Sequence, residues 1–514
     1  MDNNYYLRGK FFLNKFYQGT IKIFMILILS ALSLSSILVT AYMSQSYAEK
    51  TFFQINRIII VLFVFFTIIG VIFFYDKLII KVDEKRVLYS VLLISFCFSI
   101  FLVFVLNPPL RGDQLSIYEN AVAMNNGDSS VFDVGKYLQL FPHQLGLVLI
   151  NEVLFALFQD KTILVFRIIN CIGLVVLVYG LHEICKLLFN SSRVLYIFDL
   201  LILGCFPLFY FVTFYYGNIL TMTFATLAIM YQLRYLKKER LMRYVIVSAI
   251  CISIAIVIKS NSLIFLVGII LQYLFFLNHH MKKRIWCIVL SILSVLIFQN
   301  CVNLYYEIKT DTTLEESIPK VAWIAMGLQD SNRGPGWYNG YPRIVYSQSR
   351  ANTQLAAEKS IDSIKDSIQK FIKNPRYAIS FFGKKTISQW NNPSFQCFWI
   401  QDKIENENVG SYLINEASPL RKIQESFMDG YEFLVYSMAL ICVWIKRKDD
   451  DLSFIQLELI FVGGFIFHII WEAKGQYTLQ YFILLIPYAA YGMERVIKRM
   501  NLLLTRIKIR KHIM

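Results

Sequence analysis

The sequence predicts an all-α polytopic membrane protein with about 12 transmembrane helices, an outer interfacial helix and a small extracytoplasmic domain. Of its 514 residues, 56% are hydrophobic and only 17% are charged, whereas a soluble chain of this length needs more charge to cover its surface. Apolar segments close to the ~20 residues that cross a bilayer recur along the chain. Basic residues gather between these segments, which is typical of cytoplasmic membrane loops.

The apolar segments divide the chain into four parts. Residues 1–86 form an N-terminal two-span extension, and 87–304 a membrane core with a first outer loop at 107–161. Residues 305–427, too many for a simple loop, form the extracytoplasmic domain, and 428–514 a three-span segment with a basic cytoplasmic tail. The predicted spans are about 20–42, 57–75, 87–106, 163–181, 194–213, 218–236, 243–258, 262–278, 285–304, 428–446, 454–472 and 476–494.

A further apolar stretch, Leu140–Phe158, is interrupted by polar residues. If it does not cross and the N-terminus is cytoplasmic, every basic cluster falls on the cytoplasmic side, as the positive-inside rule requires. We therefore predict an interfacial or re-entrant helix on the outer face. Because the same clusters account for the formal net charge of +16, that charge does not indicate a nucleic-acid partner. The clusters lie at residues 77–86, 234–243, 282–284, 446–448 and 495–511.

Asp113 is the first candidate for chemistry, in the polar stretch that follows the span 87–106. A carboxylate at a membrane surface is costly unless it has a use, and it suits a general base that deprotonates an acceptor hydroxyl. The alternative is a loop carboxylate paired with Arg111. Arg111 itself also suits a phosphate, because guanidinium donors match phosphate oxygens.

Other polar residues are predicted at the same face. Lys259 lies in a tight turn between two spans, where a lysine either extends to the lipid headgroups or binds an anion. Glu472, Lys474 and Tyr477 lie in a second turn, as a salt bridge or as contacts to sugar and phosphate. His143 opens the non-crossing stretch near Asp113 and either orients a substrate or is a buried, satisfied side chain.

Glycines and aromatic residues are combined at 323–328 and at 333–341 of the extracytoplasmic segment, and Trp390-Asn-Asn-Pro393 places an aromatic residue next to amide groups. Aromatic faces with nearby polar groups suit carbohydrate binding, and they equally suit packing of a small domain. Motifs of other chemistries are missing from the sequence. It contains no zinc-protease motif, no phosphate-binding loop of nucleotide hydrolases and no C-x-x-C pair among its nine cysteines, which disfavours an ATP-driven transporter.

The order of these features resembles the GT-C glycosyltransferases, and within them the bacterial protein mannosyltransferase and aminoarabinose transferase branch. The stretches that carry the resemblance are Arg111-Gly-Asp113-Gln-Leu-Ser-Ile-Tyr118, Pro142-His143-Gln144-Leu-Gly146, Arg167-Ile-Ile-Asn170, Trp323–Gly327 and Trp471–Tyr477. The resemblance implies a polyprenyl-phosphate-linked sugar donor, transfer on the outer face, and Asp113 as catalytic base. One departure is Asn218, which stands where this superfamily often has an acidic residue. An amide is a poor ligand for a divalent cation, so we expect no metal and no other cofactor.

We therefore expect an integral-membrane enzyme that moves a sugar from the lipid donor to an extracytoplasmic glycan, glycolipid or protein. Besides Asp113, the expected substrate-binding residues are Arg111, Tyr118, His143, Gln144, Asn218, Lys259, Glu472, Lys474 and Tyr477. A composition rich in Ile, Phe, Asn and Lys suggests a bacterial cell membrane. The alternatives are a lipid-linked polysaccharide polymerase or ligase, and a transporter or flippase, for which the sequence lacks a clear inverted repeat.

Overall fold

The computed structural model describes residues 2–46, 48–79, 82–276, 281–314, 317–448 and 451–513. These residues form 23 α-helices, short 3₁₀ turns and one two-stranded antiparallel sheet, which confirms the predicted all-α class. The N-terminal part contains α1 (Asp2–Leu38), β1 (Val39–Met43), β2 (Thr51–Ile55), α2 (Ile58–Ile79) and α3 (Glu84–Leu106).

The helices from the first polar loop to the end of the central bundle are α4 (Asp113–Asn125), α5 (Tyr137–Leu140), α6 (Leu145–Phe158), α7 (Thr162–Phe189), α8 (Ser192–Leu203), α9 (Phe206–Tyr210), α10 (Asn218–Lys237), α11 (Met242–Ile258), α12 (Leu263–Phe276) and α13 (Met281–Thr310). The remaining helices are α14 (Val321–Gly327), α15 (Tyr341–Gln348), α16 (Thr353–Lys373), α17 (Pro375–Trp390), α18 (Cys397–Gln401), α19 (Val409–Ile414), α20 (Pro419–Lys446), α21 (Ile455–Ile470), α22 (Gly475–Phe482) and α23 (Ile486–Ile513).

In the described residues, eight helical stretches are long and apolar enough to cross a membrane, or nine if α8 and α9, bent by 57°, form one span. The other three of the about 12 predicted spans correspond to shorter or divided helices. The helices α11 and α12 are shorter, and a turn divides 476–494 into α22 and the start of α23. The helix that corresponds to the first predicted span, 20–42, ends at Leu38, where the hairpin begins. Residues 277–278 of the predicted span 262–278 lie outside the described residues.

The helix α6 does not carry the chain across the bundle. At one end, Lys186 near the end of α7 forms an ion pair with Glu84 at the start of α3. At the other end, Arg167 near the start of α7 donates to the side chain of Asn107, directly after α3. The helices α3 and α7 are therefore antiparallel, and everything between them, including α6, starts and finishes at the Asp113 end of the bundle. This is the arrangement that charge parity predicts for Leu140–Phe158.

The N-terminal extension is integrated into the bundle and is not an appendage to it. Gly430 of α20 allows close contact with α2, because a side chain there would collide with Val64. Between the two helices, the rings of Phe65 and Phe433 lie 5.0 Å apart. The hydroxyl of Thr40 in β1 donates to Asp429 of α20 at 2.8 Å. The hairpin β1–β2 pairs from Val39 opposite Ile55 to Met43 opposite Thr51.

The segment 305–427 is only partly a separate domain. The helix α13 extends to Thr310 and α20 begins at Pro419, so the connecting region is shorter than predicted. Its later part packs into the bundle, because the ring of Trp390 at the end of α17 lies 5.3 Å from those of Phe461 and Phe465 in α21. The earlier helices α14, α15 and α16 form a small apolar cluster of their own. The asparagines that follow Trp390 are likewise buried.

Candidate functional site

A cavity of about 490 Å³ lies at the Asp113 end of the bundle, where the loop after α3, the turn before α22 and the N-terminal hairpin meet. Seven of the ten predicted site residues line it: Arg111, Asp113, His143, Gln144, Glu472, Lys474 and Tyr477. A second cavity, of about 520 Å³, lies against the base of the hairpin and α20 and contains none of the ten. The first cavity is therefore the candidate active site.

Asp113 is the first residue of α4, and its side chain is exposed in this cavity. A left-handed Gly112 (φ 54°) turns the chain into the helix there. The hydroxyl of Tyr216 donates to Asp113 Oδ2 at 3.2 Å, and that of Tyr137 to Oδ1 at 3.5 Å. Gln144 Nε2 in turn donates to the Tyr216 hydroxyl at 2.8 Å, so the tyrosine proton points at the carboxylate. The two hydroxyls together hold the carboxylate in position at the start of α4.

Arg111 does not pair with Asp113, so the simple ion-pair interpretation of that carboxylate is wrong. The Arg111 guanidinium donates to the backbone oxygen of Trp399, lies 4.5 Å from the centre of its ring, and is 3.5 Å from Asp402. These partners come from the connector after α17, which sequence spacing does not reveal. The carboxylate of Asp113 is left open to the cavity.

Lys259 and Asn218 lie behind this wall and are joined by a 2.7 Å hydrogen bond from the ammonium to the amide oxygen. They line a small cavity of about 10 Å³ that shares Tyr477 with the main one. The Lys259 ammonium lies 4.8 Å from the centre of the Tyr216 ring and 5.1 Å from that of Tyr477. Burial, and then the neighbouring Lys474, lower the pKa of Lys259 to about 7, so an anion in the cavity would favour its charged form.

The turn before α22 brings an ammonium group between two carboxylates. Lys474 Nζ is 3.5 Å from Glu49 and 3.8 Å from Glu472, and the Tyr477 hydroxyl donates to Glu472 at 3.4 Å. Burial raises the pKa of Glu472, against the effect of Lys474. Burial also opposes the charge of Lys474, but Glu49 and its neighbours raise the pKa of that ammonium well above its ordinary value.

Sequence reasoning missed three charged residues of this cavity. Glu49, from the loop between β1 and β2, forms an ion pair with Arg333. Arg343 of α15 lies 4.9 Å from the centre of the Phe141 ring, and no ion pair joins it to a described carboxylate. In the sequence, the stretch Arg333–Tyr341 indicated a site only through its glycines and aromatic rings, not through its arginine. Nothing in the sequence connected Glu49 with the site, because residues 1–86 stood outside the matching region.

Of the aromatic motifs, Trp323 lines the cavity, and so do Arg333 and Tyr338 of the stretch 333–341. The Trp323 ring lies parallel to that of Trp471 at 6.5 Å, and edge-on to the ring of His143 at 6.2 Å. The flat apolar faces next to a polar cavity suit a sugar ring. Trp337 is fully buried instead, with its indole nitrogen donating to Ser388 at 2.9 Å. Of the two interpretations of these aromatic stretches, carbohydrate binding and packing, Trp337 fits packing.

Backbone contacts fix the turn before α22 against the connecting segment. Lys385 of α17, almost fully buried, donates to the carbonyl oxygens of Gly327 at 2.5 Å and Trp471 at 2.8 Å. The amide of Ala473 donates to the carbonyl of Gly336 at 2.8 Å. Gly336 has φ 73°, and a Cβ there would lie 2.6 Å from the Gly327 oxygen. The two glycine-containing motifs thus bring backbones close enough to hold Glu472 and Lys474 in place.

Replacing Gly327 with Ala is expected to lower stability by about 1–3 kcal/mol, because overpacking forces backbones apart. The added Cβ would collide with the Ile470 carbonyl and lie 2.7 Å from the Trp471 carbonyl carbon. Thermal unfolding in detergent measures the effect. Gly383→Ala in α17 is the matched control, because nothing lies within 4 Å of its Cβ position, and it should leave the melting temperature unchanged or raise it. Equal melting temperatures for the two variants would contradict the close approach.

Tyr118 does not line the cavity, in contrast to the prediction. It lies five residues after Asp113 in α4, about 140° around the helix axis, and its ring packs edge-on against Phe155 and Tyr215. Within the described ranges, no group of three or more His, Cys, Asp or Glu side chains is arranged to hold a metal ion.

Comparisons with known proteins give one family match, which covers part of the helical bundle. Residues 143–303 match the family model described as dolichyl-phosphate-mannose-protein mannosyltransferase. That range begins at His143 in the cavity wall and runs through α6 and α7 into α13. No curated protein matches the chain.

Among solved structures, the chain is similar to the oligosaccharyltransferase AglB from Archaeoglobus fulgidus in complex with an inhibitory peptide and a dolichol-phosphate. The identity is 15% and the TM-score 0.44, over 84% of this chain and 52% of that one. The oligosaccharyltransferase of the same organism in complex with Zn and sulfate is similar at 14% identity and a TM-score of 0.43, over 80% and 50% of the two chains. The chain thus spans about half the length of the solved chains that it matches. The family match covers residues 143–303 of the 514, and over that range the chain is similar to this family of membrane mannosyltransferases.

Proposed function

We propose that this protein transfers a sugar from a polyprenyl-phosphate donor to an acceptor outside the cytoplasm. The observation that carries the proposal is one cavity with an open carboxylate, Asp113, and a guanidinium without a carboxylate partner, Arg343. A base for the acceptor and a cation for an anionic leaving group are the two groups that this reaction needs.

Asp113 acts as the base in the proposed reaction. The acceptor hydroxyl oxygen forms a bond to the anomeric carbon of the donor sugar while its proton passes to Asp113. The bond between that carbon and the phosphate oxygen breaks, and polyprenyl phosphate leaves with the electron pair. A single displacement of this kind inverts the anomeric centre. Tyr216, itself held by Gln144, keeps the carboxylate aligned through the 3.2 Å hydrogen bond.

Arg343 and Lys259 are the cations that we assign to the donor phosphate. Arg343 lies against the Phe141 ring and forms no ion pair with a described carboxylate, and Lys259 bonds a neutral amide. Arg111 and Lys474 are weaker candidates than the sequence suggested, because each is already next to a carboxylate. A planar guanidinium offers two parallel donors to a phosphate, which makes Arg343 the principal ligand.

The sugar is assigned to the space between Trp323 and the turn before α22. Trp323 offers its ring face, whereas Glu472, Tyr477 and His143 offer polar atoms on the same cavity wall. The positive-inside rule supports an extracytoplasmic position for the site in a bacterial cell membrane. The basic ends of α2, α10 and α20 all lie at the end of the bundle opposite to Asp113. Surrounding membrane lipids would hold the polyprenyl tail beside the helices.

The test is turnover by the purified full chain in detergent or liposomes, with radiolabelled sugars linked to polyprenyl phosphate. We expect release of polyprenyl phosphate, and we expect it to persist in EDTA because no metal is assigned to the reaction. If only lipid-diphosphate-linked oligosaccharides react, the protein is a polymerase or ligase. Movement of the lipid-linked sugar across a liposome without bond cleavage would identify a flippase and refute the proposal.

A further inference from the structure

Glu49 is the only described residue of the N-terminal extension with a charged side chain in the cavity wall. Its side chain is only 7% exposed, so its position is set by its contacts. One carboxylate oxygen pairs with Arg333, and the other lies 3.5 Å from Lys474 and 3.4 Å from the amide of Gln396. The Glu49 carboxylate thus contacts two cationic side chains of the cavity, Arg333 and Lys474.

The hairpin that carries Glu49 is held by other contacts as well. The amide of Thr51 donates to the Arg333 carbonyl at 2.9 Å, and that of Ala41 to the Asn391 carbonyl at 2.7 Å. Outside the cavity, Glu416 accepts hydrogen bonds from Ser44 and from the amide of Gln45. Because backbone bonds and Glu416 already dock the hairpin, the ion pairs of Glu49 are not needed to place it.

Without Glu49, Arg333 and Lys474 would compete with Arg343 for the donor phosphate. Carboxylate and phosphate oxygens are interchangeable partners for guanidinium and ammonium donors. In a partly buried cavity, an uncompensated cation attracts an anion more strongly than a cation that already has a carboxylate partner. With Glu49 in place, Arg343 remains the cation of this cavity that has no described carboxylate partner, and Lys259 lies behind the cavity wall.

We propose that Glu49 is a substrate-positioning residue that occupies Arg333 and Lys474 and thereby leaves Arg343 as the cation of the cavity that takes the phosphate of the lipid donor. This inference rests on the proposed function. It gives the N-terminal extension a role in the reaction, because the hairpin β1–β2 supplies a wall of the active site. It also implies that polyprenyl phosphate dissociates more easily after the reaction than it would if Arg333 and Lys474 were not paired with Glu49.

The test compares Glu49→Gln with Glu416→Gln, which loosens the same hairpin from outside the cavity. Two quantities are measured on the full-length protein: the inhibition constant of polyprenyl phosphate during turnover, and its direct binding by native mass spectrometry. For Glu49→Gln we expect binding to tighten by about three- to tenfold, since Arg333 loses its carboxylate partner and Lys474 loses one of its two. We expect kcat to fall as product release slows. Glu49→Asp, which keeps the charge, should stay close to wild type.

Glu416→Gln should lower the melting temperature without changing the affinity for polyprenyl phosphate. Equal effects of Glu49→Gln and Glu416→Gln on that affinity, or weaker binding by Glu49→Gln, would reduce Glu49 to a structural contact and overturn the inference, even with an active wild type. A wild type that neither releases nor binds polyprenyl phosphate would overturn the proposed function itself. The two failures are thus distinguishable.

Discussion

Replacing Asp113 with Asn is expected to lower kcat for sugar transfer by about 10²- to 10⁴-fold, the usual contribution of a positioned general base. The amide keeps one oxygen, which can accept from one of the two tyrosine hydroxyls, but it cannot take a proton from the acceptor. The KM for the lipid donor should change little, because the lost interaction belongs to the transition state. Release of polyprenyl phosphate from a labelled donor measures both constants.

Asp133→Asn is the matched control for Asp113→Asn. Asp133 is an exposed carboxylate in the same loop, and it is not among the residues lining the cavity. We expect wild-type turnover from it. Asp113 begins α4, so its neutralisation costs only about 0.3–1 kcal/mol of helix-dipole interaction, and the variant should remain folded. Turnover by Asp113→Asn within a few-fold of wild type would remove Asp113 from the role of base.

Replacing Arg343 with Gln is expected to lower kcat/KM for the lipid donor by about 10²- to 10³-fold, by analogy with the loss of one donor to a developing oxyanion. The affinity for polyprenyl phosphate should fall in the same variant, unlike in Asp113→Asn. Arg343→Lys keeps the charge without the planar pair of donors and should be intermediate. Steady-state kinetics and direct binding of polyprenyl phosphate separate these outcomes.

Arg376→Gln provides the control for Arg343→Gln. Arg376 is exposed on α17 of the same connecting segment and is not among the residues lining the cavity, so wild-type kinetics are expected. If Arg343→Gln binds polyprenyl phosphate as tightly as wild type, the donor phosphate lies elsewhere. The next assignment would then be Lys259, whose pKa of about 7 predicts tighter phosphate binding below that pH than above it.

The first polar loop illustrates how far local sequence patterns lead. Charge parity alone predicted that Leu140–Phe158 does not cross, and α6 starts and finishes at the Asp113 end of the bundle. Charge parity also predicted that Asp113, Lys259 and the turn at 472–477 lie at the same end of the bundle. Hydropathy did not predict where each helix ends, because α1 ends at Leu38, before the hairpin, and not at residue 42.

Side-chain partners were much less predictable than helix positions. Arg111 was placed near Asp113 by its proximity in sequence, but it binds the backbone of Trp399, 288 residues away. Tyr118 shares a motif with Asp113 but points into the bundle. The resemblance to a known family drew attention to residues 87–494 and away from the extension, and therefore away from Glu49.

The sequence by itself determined that this chain is a helical membrane protein, roughly where its helices lie, and which polar turns share one end. Those properties follow from the length of apolar runs and the distribution of basic residues, both of which act locally through the cost of burying charge in a bilayer. The tertiary structure alone decided which cations of the cavity are free. Glu49 reaches Arg333 across 284 residues, and such a pairing depends on how helices pack, which no local pattern encodes.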